Sequence, residues 1–223
     1  MKGLMMTSTT NDGQSEFLPR NLEEWGRGLV LNPYLKSKVA EFYFTMAIPL
    51  EQSSRKYLRM ALFEEEYQEF HTAFQHSDKV EQVDAICDML YILHGTLLEF
   101  GSVTCLYDTK YDKEISNDID RFITCLRLFS TGNINEEPLI RQAFSEVHRS
   151  NMSKFFVEGR DEFTVSSLYD EASNNNWCFR NPTKGVWYFE DSSGKLRKPN
   201  KYSPPDIKSI VESFNTKQLE LRI

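Results

Sequence analysis

Two segments combine a helical apolar pattern with regularly spaced carboxylates, and they constrain the fold more than any other feature of the sequence. Apolar residues recur at the spacing of one helix face over residues 55–74 and again over residues 80–100. Each segment also carries two carboxylates that are three residues apart: Glu66 and Glu69 in the first, Glu81 and Asp84 in the second. Residues at this spacing lie about 60° apart around a helix axis. The sequence therefore predicts two helices, each with a carboxylate stripe.

The connection between the two stripes is short, because only 11 residues separate Glu69 from Glu81. Helices joined in this way pair antiparallel, so the acidic stripes are expected to face each other. Converging carboxylates repel unless a cation lies between them, and Mg²⁺ is the usual cation where phosphates are bound. We therefore hypothesise a divalent-cation site; the alternative from the residues alone is a solvated acidic surface. Asp88, one turn after Asp84, is left open as a ligand, a hydrogen-bond acceptor behind the ligands or a helix contact.

Other classes of protein are disfavoured by residue spacing and charge. A di-iron carboxylate bundle needs a His three residues after a Glu on two helices, and none of the four histidines meets that condition. The net charge of −7 and the pI of about 5.2 disfavour duplex nucleic acid as a partner. No apolar run approaches the roughly 18 residues of a membrane span. The four cysteines include no pair at CxxC spacing, which favours reduced thiols and a cytoplasmic location.

The order of patterns along the chain predicts an all-α fold with a small extension. Helical spacing is found over residues 35–46, 55–74, 80–100, 117–129, 136–149 and 207–219. A β-hairpin is expected where the apolar residues 186–189 precede Ser192-Ser193-Gly194. Residues 1–34 are interpreted as a flexible N-terminal arm, irregular over residues 21–33. Residues 35–223 are interpreted as one domain, a four- to five-helix core followed by a hairpin or irregular extension after residue 155.

The carboxylate pattern resembles that of a known family. Glu66-x-x-Glu69 followed by Glu81-x-x-Asp84 is similar to the signature of the all-α nucleoside triphosphate pyrophosphohydrolases, in their MazG-like, phosphoribosyl-ATP-pyrophosphohydrolase-like branch. Residues 83–91, with Gly95 after them, resemble the second metal-binding helix of that branch. Two further blocks, residues 146–154 and 194–207, are similar to blocks typical of the same branch. Residues 108–142 and 156–192 are longer than the branch's pattern, and residues 1–34 have no counterpart in it.

This resemblance implies a fold, a reaction and a set of residues. The fold is a MazG-like helical core that assembles as a homodimer or a dimer of dimers. The reaction is hydrolysis of a nucleoside triphosphate, (d)NTP, between its α and β phosphates, giving the monophosphate and pyrophosphate. The cofactor is Mg²⁺, with Mn²⁺ as a possible substitute. The implied metal ligands are Glu66, Glu69, Glu81 and Asp84, and the implied catalytic residues are Glu65 and Glu66.

A second group of residues is expected to hold the substrate. An acidic site that binds phosphates also needs cations, and the resembling blocks supply Arg149, which can grip a phosphate with two donors, and Lys154, a mobile point charge. The full set of expected substrate-binding residues is His148, Arg149, Asn151, Lys154, Lys198 and Tyr202. From the residues alone, the alternatives are an ordinary helix end for the first block and a solvated basic loop for the second.

The base and the sugar of the nucleotide are not readable from the sequence, because a few hydrogen bonds placed by tertiary structure decide them. Two alternatives to (d)NTP hydrolysis therefore stay open. One is hydrolysis of another pyrophosphate-containing metabolite such as phosphoribosyl-ATP. The other is a non-catalytic helical module that uses its acidic face to bind a protein.

Overall fold

The structure of the protein is a computed structural model that describes residues 22–47, 55–99, 112–130 and 136–220. Helices dominate the described residues, and the predicted all-α fold is confirmed. The helices are α1 (Leu22–Val30), α2 (Pro33–Thr45), α3 (Lys56–Gln75), α4 (Lys79–Glu99), α5 (Asp112–Ser130), α6 (Glu137–Met152), α7 (Val165–Asn174) and α8 (Ile207–Glu220). The strands are β1 (Phe156–Val157), β2 (Cys178–Thr183) and β3 (Val186–Glu190). Within the described ranges, no helix is both long enough and apolar enough to cross a membrane.

Helix α4 lies at the centre of the core. Its residues are buried almost all round the helix, including Val83, Met89 and Tyr91 on different faces, which is the pattern of a helix enclosed by others. It packs against α2, α3, α5, α6 and α8. The Asp78 side chain begins the helix, because its Oδ1 accepts hydrogen bonds from the backbone N–H groups of Val80 and Glu81.

The antiparallel pairing of α3 and α4 is the most extensive helix contact and positions the site. Each of the six helices expected from periodicity is present within a few residues of its predicted bounds. The predicted end of the second helix of the pair, at residue 100, lies outside the described residues.

The interpretation of residues 21–33 as irregular is wrong for α1. Trp25 and Leu29, four residues apart, are each 1% exposed and belong to the main core. Gly26 allows α1 to approach α5 closely, since a Cβ there would lie 2.8 Å from Cγ1 of Ile123. The tight turn into α2 is held by Asn32, which caps that helix. A flexible arm therefore does not include residues 22–33, and residues 1–21 lie outside the described residues.

The extension after α6 is a three-stranded antiparallel sheet in the order β1-β3-β2, with α7 packed on it. The strand expected at residues 186–189 is present, but its main partner differs from the prediction. It pairs with the preceding β2 across a turn at Gly185, whose φ is +82°, a conformation that favours glycine. The turn ending at Gly194 adds a single bridge, from Glu190 to Leu196. Helix α7, which the sequence analysis did not anticipate, begins at a capping box built by Thr164.

Candidate active site

A cleft of about 730 Å³ lies over the seam between α3 and α4. The end of α2, the last turns of α6 and residues 194–205, which follow the sheet, also line it. Its volume lies in the range typical of small-molecule sites. The cleft therefore brings together the three parts of the chain in which the sequence analysis placed site residues.

Six carboxylates line this cleft. Those on α3 are Glu65, Glu66 and Glu69, and those on α4 are Glu81, Asp84 and Asp88. The antiparallel pairing produces this convergence, because the last turns of α3 lie beside the first turns of α4. All four predicted metal ligands thus lie at one place, and Asp88 joins them. Their roles in binding or catalysis stay predictions.

The carboxylates are placed where their negative charges are costly. Burial, together with the nearby charges of Asp88 and Glu69, raises the pKa of Glu66 to about 9. Burial and the charge of Asp88 raise the pKa of Asp84 to about 7, and burial raises that of Asp88 to about 6. In addition, Oδ1 of Asp84 is buried and has no hydrogen-bond partner. Buried polar atoms are rarely left unpaired, so the cluster has the properties of a site completed by a positive charge.

The donor chemistry fits a hard divalent cation, because carboxylate oxygens are the ligands that Mg²⁺ and Mn²⁺ prefer. In their present rotamers, however, the described His, Cys, Asp and Glu side chains form no group of three or more that could hold a metal ion. A cation that binds here would therefore have to draw carboxylates from the two helices together.

Glu65, a predicted catalytic residue, is engaged in an ion pair. Nζ of Lys195 lies 2.8 Å from Oε1 and 2.6 Å from Oε2 of its carboxylate. Both residues line the cleft. The pair links α3 to the segment after β3, so Glu65 already faces a cation of the protein itself.

The basic side of the cleft is formed by four of the residues predicted to bind substrate: Asn151, Lys154, Lys198 and Tyr202. Nζ of Lys154 donates to Oδ1 of Asn151 at 2.6 Å. Burial lowers the pKa of Lys154 to about 8, and the charge of Asp88 opposes that shift. The ammonium groups of Lys154 and Lys198 lie 5.9 and 5.1 Å from the centre of the Tyr202 ring. The Tyr202 hydroxyl in turn accepts a hydrogen bond from Ser150, so the two lysines are arranged around a fixed ring.

His148 and Arg149, also predicted to bind substrate, are not among the residues that line the cleft. Arg149 donates to Glu146, to the Ser203 hydroxyl and to the Pro204 carbonyl oxygen. These bonds hold the end of α6 against the segment that leads to α8. The structure therefore gives Arg149 a role in positioning that segment.

His148 is buried and lies between two other side chains. Its Nε2 is 3.2 Å from Oε2 of Glu41, and its Nδ1 is 3.1 Å from the hydroxyl oxygen of Tyr91. Tyr91 lines the cleft. The histidine thus orients a cleft residue rather than reaching the cleft itself.

The sequence analysis missed a charged cluster at the far end of the cleft. Arg55 and Arg59 both line it, and Glu99 is completely buried behind Arg59. Nε and Nη2 of Arg59 donate to Oε1 of Glu99 at 3.0 and 2.8 Å. A glutamate in the last turn of α4, after the mostly apolar residues 89–98, was the available signal, because such a buried carboxylate requires a partner.

Residues 37–103 match the model of a family described as phosphoribosyl-ATP pyrophosphohydrolase. The comparisons with curated proteins and with solved structures found no match. The matched range contains all six carboxylates of the cleft, whereas the basic residues from Asn151 to Tyr202 lie outside it. The resemblance to the MazG-like, all-α pyrophosphohydrolases is thus confirmed over residues 37–103, and it supports a pyrophosphohydrolase activity in general terms.

Proposed function

We propose that this protein is a Mg²⁺-dependent nucleotide pyrophosphohydrolase that cleaves a (d)NTP between its α and β phosphates, giving (d)NMP and pyrophosphate. One observation carries the proposal. The carboxylates of α3 and α4, inside the segment that matches the family, share a cleft with Lys154 and Lys198. A phosphate chain with bound cations needs both kinds of partner at one place.

In this proposal Glu66, Glu69, Glu81 and Asp84 hold the metal. When bound, Mg²⁺ or Mn²⁺ would offset the phosphate charge and lower the pKa of a coordinated water. Glu66 is suited to a central position, because the carboxylates around it already disfavour its ionised form. Asp84 would use the oxygen that is buried without a partner.

The lysines would neutralise the phosphate chain from the other side of the cleft. Asn151 positions Lys154 through its 2.6 Å hydrogen bond. Burial lowers the pKa of Lys154 to about 8, and an anion in the cleft would interact strongly with a charge placed there. Lys198 lies on the exposed rim and would guide the same phosphates inward.

Glu65 is proposed to accept a proton from the attacking water. It can do so only after its carboxylate separates from Lys195. A phosphate chain offers Lys195 a competing anion, and binding of substrate would thereby free the base. Substrate binding would therefore be coupled to release of the Glu65 carboxylate, which can then act as the base.

One alternative substrate has specific support. Phosphoribosyl-ATP is favoured by the description of the matching family, and it contains the same α–β linkage. Assembly as a homodimer or dimer of dimers is a further proposal from the resemblance, and a cytoplasmic location is a proposal from the cysteine pattern. Light scattering of the purified protein tests the first.

The decisive experiment incubates the protein with each NTP and dNTP and with phosphoribosyl-ATP, in Mg²⁺, Mn²⁺ or EDTA, and separates the products by ion exchange. We expect monophosphate and pyrophosphate, which disappear in EDTA. Glu66→Gln is expected to lower kcat at least about 100-fold. Glu64→Gln is the matched control, because Glu64 is exposed on the same helix and bonds to Gln68 and Arg121 outside the cleft. Formation of diphosphate and orthophosphate, or full activity of Glu66→Gln, would refute the proposal. Activity with phosphoribosyl-ATP alone would make phosphoribosyl-ATP, instead of a (d)NTP, the substrate.

A further inference from the structure

Two arginines, Arg55 and Arg59, line the cleft away from the carboxylates, and Arg59 is held rigidly. Arg59 is 7% exposed, and its guanidinium is held by Glu99 through two hydrogen bonds of 3.0 and 2.8 Å. The Tyr43 hydroxyl donates to the same Glu99 oxygen at 2.7 Å, and its ring centre lies 5.0 Å from the guanidinium carbon. Nη1 of Arg55 lies 3.9 Å from that oxygen. Arg59 is therefore fixed in place, with Arg55 beside it.

Close packing at Gly95 supports this arrangement. A Cβ at that position would lie 2.5 Å from the Tyr43 hydroxyl oxygen and 3.1 Å from Nη1 of Arg59. The glycine of α4 thus leaves the space into which the arginine and the tyrosine fit.

The arginine end and the carboxylate end are separated by about the length of a nucleoside. Arg59 precedes Glu66 on α3 by seven residues, which corresponds to about 10 Å along the helix and to nearly the same face. The cleft is also lined by apolar side chains: Phe42, Met46, Leu58, Leu62 and Ile92. With its phosphates at the carboxylates, a nucleotide would place its sugar and base along this apolar wall and the edge of its base at the arginines.

An arginine is a selective partner for a base edge, because it only donates hydrogen bonds. Its guanidinium carries five N–H donors, and the bonds to Glu99 occupy two of those of Arg59. The planar fork matches two adjacent acceptors, and guanine and hypoxanthine present O6 and N7 in that arrangement. Adenine and cytosine present an amino group at the corresponding edge. That amino donor would face the N–H donors of the arginine, so no hydrogen bond would form.

We propose that Arg55 and Arg59 read the acceptor edge of a 6-oxopurine, so that the preferred substrates are nucleotides of guanine or hypoxanthine. This inference rests on the proposed function, since it places the triphosphate at the carboxylates. Arg59 supplies the fixed donors and Glu99 positions it. Arg55, less enclosed, completes the pair.

The test compares kcat/KM for dGTP, dITP and dATP. The wild type is expected to favour dGTP and dITP over dATP by about 10- to 100-fold, the range of a bidentate base contact. Arg55→Gln is expected to remove most of that preference by weakening dGTP and dITP alone. Arg59→Lys, which keeps the charge and loses the fork, is expected to do the same. Arg180→Gln is the control, since Arg180 is exposed and pairs with Glu190 outside the cleft.

A second measurement separates this inference from the proposed function. Binding of dGMP and dAMP to the metal-free protein is measured by calorimetry, which needs no catalysis. Tighter binding of dGMP that is lost in Arg55→Gln supports the inference even if no triphosphate is hydrolysed. The inference is overturned if wild type binds and hydrolyses both purines equally, or if Arg55→Gln weakens all nucleotides equally while α–β cleavage persists.

Discussion

The Lys195 ammonium group lies within 2.8 Å of both carboxylate oxygens of Glu65 and thereby joins the segment after β3 to α3 at the rim of the cleft. The two residues are 130 positions apart in the sequence. Both side chains are partly exposed, at 36% and 45%, so the ion pair contributes little to stability. The ion pair matters for function, because it holds Glu65, the proposed base, in contact with Lys195, a cation that the substrate would also attract.

Lys195→Gln is expected to lower kcat/KM for the nucleotide about tenfold, because the phosphate chain loses a cation, while the melting temperature changes by no more than about 4 °C. Steady-state kinetics and thermal melts measure the two effects. Lys184→Gln, in the exposed turn of the hairpin, is the matched control and is expected to change neither quantity. Unchanged kcat/KM in Lys195→Gln would show that the lysine does not contact substrate.

The metal-free protein is expected to lose stability as the pH rises towards 9. Burial raises the pKa of Glu66 to about 9 in the folded state, against 4.5 ordinarily. The folded state therefore holds this proton more tightly than the unfolded state. The resulting stabilisation is fully present below about pH 4.5 and is lost as the pH rises through about 9. In EDTA at pH 9, Glu66→Gln is thus expected to melt at a higher temperature than wild type.

The matched control for that comparison is Glu64→Gln. Hydrogen bonds from Gln68 and Arg121 lower the pKa of Glu64, so removing its charge is expected to leave the melting temperature unchanged or slightly lower. Mg²⁺ added at pH 9 is expected to stabilise wild type more than Glu66→Gln. A Glu66→Gln variant that melts below wild type in EDTA would contradict the repulsion described for the cluster.

The part of the site that was predictable from sequence is the part encoded by local spacing. Carboxylates three residues apart share a helix face wherever the helix is packed, so Glu66 with Glu69 and Glu81 with Asp84 were identifiable from the sequence. The antiparallel pairing followed from the short connection. The convergence of these residues in one cleft required only those two facts.

The rest depended on contacts between residues distant in sequence. Arg59 and Glu99 are 40 residues apart, and neither residue alone indicates the other. Arg149 was predicted to bind phosphate because its guanidinium offers two donors, yet those donors are directed to the segment that precedes α8. Helix α1 has only nine residues, and a helix of that length is stabilised mainly by packing of residues such as Trp25 rather than by propensity.

Gly95→Ala is expected to destabilise the protein by about 1–3 kcal/mol, because the added Cβ would lie 2.5 Å from the Tyr43 hydroxyl oxygen and must displace it. Gly28→Ala is the control, since Gly28 is also helical and its Cβ would meet nothing within 4 Å. That variant is expected to be neutral or up to about 1 kcal/mol more stable. Urea unfolding measures both. Equal effects of the two substitutions would refute the packing role of Gly95.

Acid sensitivity is expected to arise in part from His94, which is buried in α4 with its ring centre 6.0 Å from that of Phe144. Burial lowers the pKa of His94 to about 4, against 6.5 ordinarily. As the pH falls from 6.5 towards 4, His94 becomes protonated in the unfolded state but stays neutral in the folded state. Stability should therefore fall by about 1.4 kcal/mol per pH unit within that window. His94→Met is expected to reduce this slope in urea unfolding. His76→Gln, at an exposed position, is the control and is expected to retain it. Equal slopes for wild type and His94→Met would exclude His94 as the source of the acid sensitivity.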